Sequence, residues 1–336
     1  MDRQAVAVNP PPRGPAPNST LRVLAHFTPG PRVTEFLVPL HDLIDVRFCA
    51  ADDDAAFYRE LPDADVLWHV LRPLGADDLT QGRRLKLVHK MGAGVNTIDV
   101  DAATRLGIAV ANMPGANAPS VAEGAVMLML AALRRLPELD RVTRSGNGWP
   151  TDPTLGETVR DLGSCTVGLI GYGNIAKRVE TIVTAMGATV VHTNTLGAQG
   201  HPGWRTLPEL LGASDVVSLH LPLTEHTNGL LDAEALGQMK PGAVLVNTSR
   251  GAVIDEPALV SALRDGPLQA AGLDVFATEP VDPGNPLLAL NNVVVSPHVT
   301  WYTADTMHRY LAEAVANCER LAAGQQLANV VNEVHF

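Results

Sequence analysis

Residues Thr166 to Thr195 read TVGLIGYGNIAKRVETIVTAMGATVVHTNT. The run Thr166-Val167-Gly168-Leu169-Ile170 has strand length and β-branched character. Gly171-Tyr172-Gly173-Asn174-Ile175-Ala176 follows, and then apolar residues at helical spacing: Ile175, Val179, Ile182, Val183 and Met186. Gly187 is placed to stop that helix, and Val190-Val191 opens a second strand. Strand, glycine turn, helix, strand is the context in which G-x-G-x-x-G/A reads as a dinucleotide-binding turn. Gly171 permits the tight turn, Gly173 lets backbone approach a pyrophosphate, and Ala176 is small enough for close helix–strand packing. The amides of Asn174 and Ile175 fall at a helix N-terminus, where partial positive charge favours phosphate.

A chain of 336 residues has room for two cores. Net charge of −11 counts against nucleic acid and anionic membrane as partners. Cys49, Cys165 and Cys318 are far apart and form no C-x-x-C, which fits a reducing compartment and packing roles; no metal-ligand set stands out. The longest apolar run, Val121–Leu133, contains Glu123 and is too short to span a bilayer. With no basic segment followed by an apolar one at the start, a cytoplasmic location is expected.

Residues 1–20, rich in Pro, Asn and small side chains, read as a disordered tail. From Leu21 an α/β rhythm begins: strands at Leu21–Ala25, Asp45–Phe48, Val66–Val70 and Leu85–Lys90, helices at Thr34–Leu40 and near Ala55–Glu60. Such alternation implies a parallel sheet covered on both faces. His69 and Arg72 fall near a strand's C-terminal end, where ligands bind in open α/β sheets, although a structural role is the simpler reading. Met91-Gly92-Ala93-Gly94-Val95-Asn96 is a small-residue loop whose amides can face a carboxylate, with Lys90 just before it. Asn112-Met113-Pro114-Gly115 marks the first domain crossing. The helix Pro119–Arg135 is apolar nearly all round and needs burial on several sides, in this chain's core or against a second subunit. Beyond the glycine turn, strands at Asp215–His220, Ala243–Asn247, Ala271–Val275 and Val293–Val295 each deliver polar groups at their ends. A helix over Ala304–Ala323 is ended by Gly324.

Three of those strand-end groups suit a nicotinamide site. Arg250 offers a two-pronged cation for a 2-oxo acid carboxylate. His298 can give a proton to a carbonyl oxygen or take one back. Glu279 can orient His298.

At this density of motifs (GLIGYGNIA, HLPLTEHTNGLL, VNTSRGAVIDEPAL, GLDVFATEP, VVVSPHVTW) the chain resembles the D-isomer-specific 2-hydroxyacid dehydrogenase family, over nearly everything after the tail. The resemblance implies an α/β fold of two Rossmann-like domains with parallel sheets, the first discontinuous: residues 21–114 with 305–336 for substrate, and 115–304 for NAD(P). It implies that Arg250 binds the substrate carboxylate and carbonyl, that His298 is the acid/base and Glu279 its partner, and that all three are catalytic. Ala93 and Gly94 would bind the carboxylate through amides. Gly171, Gly173, Asn174 and Ile175 would cradle pyrophosphate; Leu221, Pro222, Thr248 and Ser249 would line the cofactor cleft, with Arg250 and His298 at its reactive end. Asp274 would hold the nicotinamide side. A homodimer through the Pro119–Arg135 helix is also implied.

Two departures bear on specificity. Where NAD-preferring members carry an acid, about 20 residues past the glycines, this chain has Asn194 and Thr195. No carboxylate repels a 2′-phosphate there, which slightly favours NADP over NAD, although the nearest arginine is the distant Arg205. After His298, Val299-Thr300-Trp301-Tyr302 replaces the family's usual small residues, and Trp301 is a candidate substrate contact. The expected reaction is reduction of a small 2-oxo acid, such as glyoxylate or hydroxypyruvate, to the D-2-hydroxy acid. Formate oxidation on the same fold is disfavoured by Glu279, where a glutamine would stand. Phosphite oxidation is disfavoured by Ala93, where a lysine would stand. A non-enzymatic, dinucleotide-sensing corepressor is the alternative from another class, and the acidic charge counts against it.

Overall fold

The computed structural model describes residues 20–149, 153–195, 197 and 201–334. Residues 1–19, which hold nearly all of the expected tail, lie outside these. The chain forms two compact units, Met1–Pro114 with Met307–Phe336, and Gly115–Thr306.

In the first unit, β1 (Leu21–Ala25), β2 (Ile44–Phe48), β3 (Val66–His69), β4 (Leu87–Lys90) and β5 (Ala109–Ala111) form one parallel sheet in the order β2-β1-β3-β4-β5. Leu24, Leu67, Val88 and Val110 point to one face, into a core with Phe57, Leu61, Leu79, Ala102 and Ala103. Their strand neighbours point the opposite way, as the two-residue period of a strand requires. The helix Ala304–Ala322 buries Tyr310, Leu311, Ala314 and Cys318.

The second unit holds β6 (Thr166–Ile170), β7 (Thr189–Thr193), β8 (Val216–Leu219), β9 (Ala243–Asn247), β10 (Leu268–Leu273) and β11 (Val293–Val295). All are parallel, in the order β11-β10-β9-β8-β6-β7. Val244 and Val246 enter one apolar layer while Leu245 enters the other. A strand buried on both faces therefore reads as an unbroken apolar run. The helices Ala118–Leu133 and Asn174–Ala185 supply the first layer, and Leu207–Ala213 and Glu256–Arg264 the second. Gly272 allows the long helix to come close: a Cβ there would lie 2.9 Å from Leu128 Cβ. Most of that helix is buried within this chain, with Met127 exposed. Several strands differ from the sequence expectation: β2 starts at Ile44, β3 ends at His69, β4 starts at Leu87, β8 spans Val216–Leu219, and β5 stands where no strand was expected. β10 runs Leu268–Leu273 rather than Ala271–Val275, and the Asp274 amide makes the last ladder bond, to Asn247 O at 3.0 Å.

Both sheets are pinned alike at their N-terminal edge. Asp65, one residue before β3, donates its amide to Arg22 O (2.8 Å) and accepts from Arg22 N (3.0 Å) through its carboxylate. Asp215, one residue before β8, does the same with Thr166, at 2.8 Å in both directions. Arg84 pairs with Asp65, and Arg160 and Lys240 with Asp215.

Candidate active site

The order of the second sheet reverses between β6 and β8, and open α/β sheets bind ligands outside the strand ends at such a point. Gly171 ends β6 there with φ +89°. A Cβ on it would sit 2.4 Å from the His220 carbonyl oxygen, so only glycine lets the two strand ends approach. Around Gly173 a Cβ would meet nothing within 4 Å. The helix Asn174–Ala185 starts at this glycine, which has no side chain to cap it, and among the described residues no acceptor is found for the Asn174 and Ile175 amides. Ala176 is fully buried in the layer beneath. Beyond β7 come the half-buried Asn194 and the exposed Thr195; beyond β8 come half-buried Leu221 and exposed Pro222.

Across the sheet, β9 delivers Thr248, Ser249 and Arg250. The Thr248 hydroxyl is buried and makes no hydrogen bond among the described residues, an acceptor and donor left for something outside the chain. Asn247 shapes this loop, a role the sequence reading missed. Its Oδ1 accepts from the Ser249 amide (2.9 Å) and hydroxyl (2.8 Å), and its Nδ2 donates to Arg250 O (2.9 Å). An asparagine ending a wholly buried strand was the available signal. A Cβ on Gly251 would fall 1.9 Å from the Phe276 carbonyl carbon, so glycine is required where the loops after β9 and β10 meet. Arg250 Nη1 donates to Ser249 O at 2.7 Å. Burial pushes its guanidinium below its usual value while Glu279 opposes the shift; an arginine stays cationic under either influence.

His298 Nδ1 and Glu279 Oε2 are 2.7 Å apart. The other carboxylate oxygen accepts from the Phe276 amide at 3.0 Å. Burial alone would push the Glu279 carboxyl up; the hydrogen bond and charge of His298, the Phe276 amide and Arg250 together hold it below the usual range. A carboxylate on Nδ1 leaves Nε2 as the nitrogen for proton exchange.

His298 itself has φ +56°, in the left-handed region. Its amide donates to Asp274 O (2.7 Å), and Trp301 Nε1 donates to His298 O (2.8 Å). The fully buried Asp274 carboxylate accepts from Ser296 Oγ (2.5 Å), Val299 N (2.9 Å), Thr300 N (3.1 Å) and Thr300 Oγ1 (2.7 Å). Four donors use the capacity of both oxygens. Asp274 thus holds the loop carrying His298, and Trp301 ties its backbone.

In the first unit, Ala93 is exposed and Gly94 half-buried, and their amides donate to no protein acceptor among the described residues. Asn112 Nδ2 fixes the loop by donating to Ala93 O at 2.7 Å. Lys90 is buried, with Nζ donating to Val70 O and to Thr97 Oγ1 (3.3 Å). Arg72 is engaged by Asp54 (3.1 Å) and Asp78 (3.3 Å) and lies over the Phe57 ring.

An uncapped glycine turn at a sheet's switch point, beside a buried orphan hydroxyl, fits a nicotinamide dinucleotide, and the fold and site together define a dinucleotide-dependent α/β oxidoreductase. Residues 126–300 match the family described as D-isomer specific 2-hydroxyacid dehydrogenase, NAD binding domain. A glyoxylate reductase of Aeropyrum pernix is 40% identical over 286 residues, covering 80% of this chain and 83% of that protein. A D-3-phosphoglycerate dehydrogenase of Mycobacterium tuberculosis is 37% identical over 87% of this chain, which spans only 56% of that longer protein. The structure of a D-lactate dehydrogenase of Aquifex aeolicus with NAD and lactic acid superimposes with a TM-score of 0.82 at 29% identity, covering 93% of this chain and all of that one. The chain belongs to the D-isomer-specific 2-hydroxyacid dehydrogenase family, and its class is that of the NAD-dependent D-2-hydroxyacid dehydrogenases. Among the described residues no helix is long and apolar enough to cross a membrane, and no cluster of His, Cys, Asp or Glu could hold a metal ion.

Proposed function

We propose that the chain reduces a small 2-oxo acid, of the glyoxylate or hydroxypyruvate kind, to the D-2-hydroxy acid. The observation that carries this is the His298–Glu279 pair at 2.7 Å, with Arg250 on the neighbouring strand end. The turn Gly171–Ile175 would hold the pyrophosphate, Leu221 and Pro222 and Thr248 and Ser249 would line the cofactor, and Asn194 and Thr195 would face its ribose. Once bound, the reduced nicotinamide supplies the hydride. Arg250 would grip the carboxylate with its planar fork and orient the carbonyl. Charge building on the carbonyl oxygen is met by a proton from His298 Nε2, and Glu279 holds the ring and stabilises its charged form. In the oxidative direction the same nitrogen takes the proton back. On the first unit, the Ala93 and Gly94 amides are proposed to accept a carboxylate. Asp274 acts through the His298 loop rather than by touching ligand, since its lone pairs are engaged. Trp301 remains a proposed substrate neighbour through its ring face.

The uncharged Asn194 at the end of β7 supports use of NADPH. Arg205 does not strengthen that case: its Nη1 is held by the carbonyls of Pro202 (3.1 Å) and Trp204 (2.7 Å). A homodimer is proposed on different grounds from those in the sequence. The helix Leu136–Arg144 buries none of its residues, and Leu136 and Trp149 are 56% and 86% exposed. Turnover of glyoxylate, hydroxypyruvate, pyruvate and, oxidatively, D-3-phosphoglycerate with each nicotinamide cofactor tests the reading. No turnover with any 2-oxo or 2-hydroxy acid, despite dinucleotide binding, would point to a sensor instead.

A further inference from the structure

Tyr172, the residue between the two glycines of the phosphate turn, opens a chain of hydrogen bonds that nothing in the proposed chemistry uses. Its hydroxyl contacts Glu180 on the following helix and His201 Nε2 at 3.2 Å. His201 Nδ1 then meets His192 Nε2, on β7, at 2.7 Å. The Tyr172 and His192 rings stack at 3.7 Å and 10°. Gly203 leaves space for the pair, since a Cβ there would lie 3.3 Å from His192 Cδ2 and 3.6 Å from His201 Nδ1.

The direction of the protons follows from one atom. His192 Nδ1 is buried with no partner among the described residues, so a proton there would be an unsatisfied donor. The proton therefore sits on Nε2 and points at His201 Nδ1. His201 must then carry its own on Nε2 and donate to the Tyr172 oxygen, and Tyr172 donates to the Glu180 carboxylate. A proton added to His201 would set two N–H groups against each other across 2.7 Å. Relief comes from moving the His192 proton to the buried Nδ1 or from turning the exposed His201 ring out of the chain, and either breaks the relay.

We propose that Glu180, Tyr172, His201 and His192 form a brace that fastens the ribose-reading end of β7 to the phosphate-binding turn, so that dinucleotide affinity falls as pH drops through the imidazole range. The inference rests on the dinucleotide reading of the turn. The groups facing the imidazoles agree with it. Burial, then His201, pushes the His192 ring down against the opposing Glu180 charge, which keeps it neutral. Burial, then Glu180, pushes the Tyr172 phenol up to about 12, which keeps it a donor. Lys177 Nζ lies 5.7 Å from the Tyr172 ring centroid, on its face, and Arg205 turns to backbone carbonyls. Acid works against the brace, because an added proton sets N–H against N–H across the His192–His201 contact.

The test is the dissociation constant of NADH and of NADPH, by fluorescence titration, at about pH 8 and about pH 5.5, for wild type, Tyr172→Phe and His201→Gln. His201 is exposed, so its variant has no core to disturb, and melting curves check both. For wild type the constant should rise about tenfold at the lower pH. In both variants it should already be raised about tenfold at the higher pH and change little on acidification. The KM for cofactor should follow, while the KM for the oxo acid stays put. Folded variants that keep wild-type affinity and its pH dependence would overturn the brace. Wild type that binds neither dinucleotide would overturn the reading of the turn itself, a different failure.

Discussion

The two sheets of this chain are wound alike and end differently. Each runs second strand, first, third, fourth, fifth, and each is pinned at its N-terminal edge by an aspartate bridging the first and third strands. At the C-terminal edge the likeness stops. The first sheet fills its switch point with His26, whose ring is buried against Phe57 at 4.9 Å. His69, at the end of β3, is also buried; burial first, then Lys90, pushes it down to about 3. Burial, with Arg72, lowers His26 too. At about 3, the His69 ring stays neutral. The second sheet puts glycine at its switch point and gives its strand-end histidine a carboxylate. Winding provides a crevice, and the residues at the strand ends decide whether it is plugged or open.

The strongest way to break this contrast is His298→Ala. Removing the proposed general acid should lower kcat/KM by about 10²–10⁴-fold, with dinucleotide affinity by fluorescence nearly intact. Retained turnover would place the acid elsewhere. Gly171→Ala plugs the second crevice. A side chain at positive φ, 2.4 Å from the His220 oxygen, should cost about 1–3 kcal/mol and weaken dinucleotide binding. Unchanged melting and affinity would remove the turn from the account.

The shared edge is tested by Asp215→Asn. Burial would raise the Asp215 carboxyl, but Lys240, the Thr166 amide and Arg160 bring it down to about 2. A lowered carboxylate stabilises fully above its unfolded value and is lost as pH falls. The variant should therefore be up to about 2 kcal/mol less stable near neutrality, and the gap should close between about pH 4 and pH 2. The partly exposed Arg160 and Lys240 make that figure a ceiling. A gap constant with pH in urea melts would show that packing, not charge, is involved. Asn194→Asp should move the NADH/NADPH preference toward NADH by about tenfold, or about 1.4 kcal/mol, read from kcat/KM; an unchanged ratio would mean another residue reads the ribose. Least affected should be His26→Leu. Replacing this buried ring with an alkyl group of similar size should shift stability by less than about 1.5 kcal/mol. A larger loss by melting would show that the imidazole has a partner.

How much of this could be read in advance follows from range. β6 and β9 sit where the apolar runs put them, because a strand buried on both faces announces itself locally; the edge strand β11 matches too, on its three consecutive valines. β5 escaped because three residues, Ala-Val-Ala, carry no pattern. Arg250, Glu279 and His298 stood out as charged groups just past apolar runs, and the structure sets Glu279 against His298. What the sequence hid is the direction of side chains. Asp274 turns inward to hold a loop 22 to 26 positions away, Asn247 folds back on the loop after its own strand, and Arg72 is absorbed by Asp54 and Asp78, none of which the apolar pattern records. The relay through Tyr172 was equally invisible, since it joins a turn, a helix and a later loop.

The left-handed backbone at His298 has a consequence for anyone choosing how to silence this protein. Alanine there removes the imidazole and also leaves a side-chain-bearing residue at φ +56° without a local polar partner. Any loss then mixes chemistry with backbone strain. Asparagine visits that region more readily than most residues. His298→Asn is therefore the cleaner null allele: a folded, ligand-competent protein with the proton carrier deleted, suited to trapping a complex with oxo acid and reduced cofactor both in place.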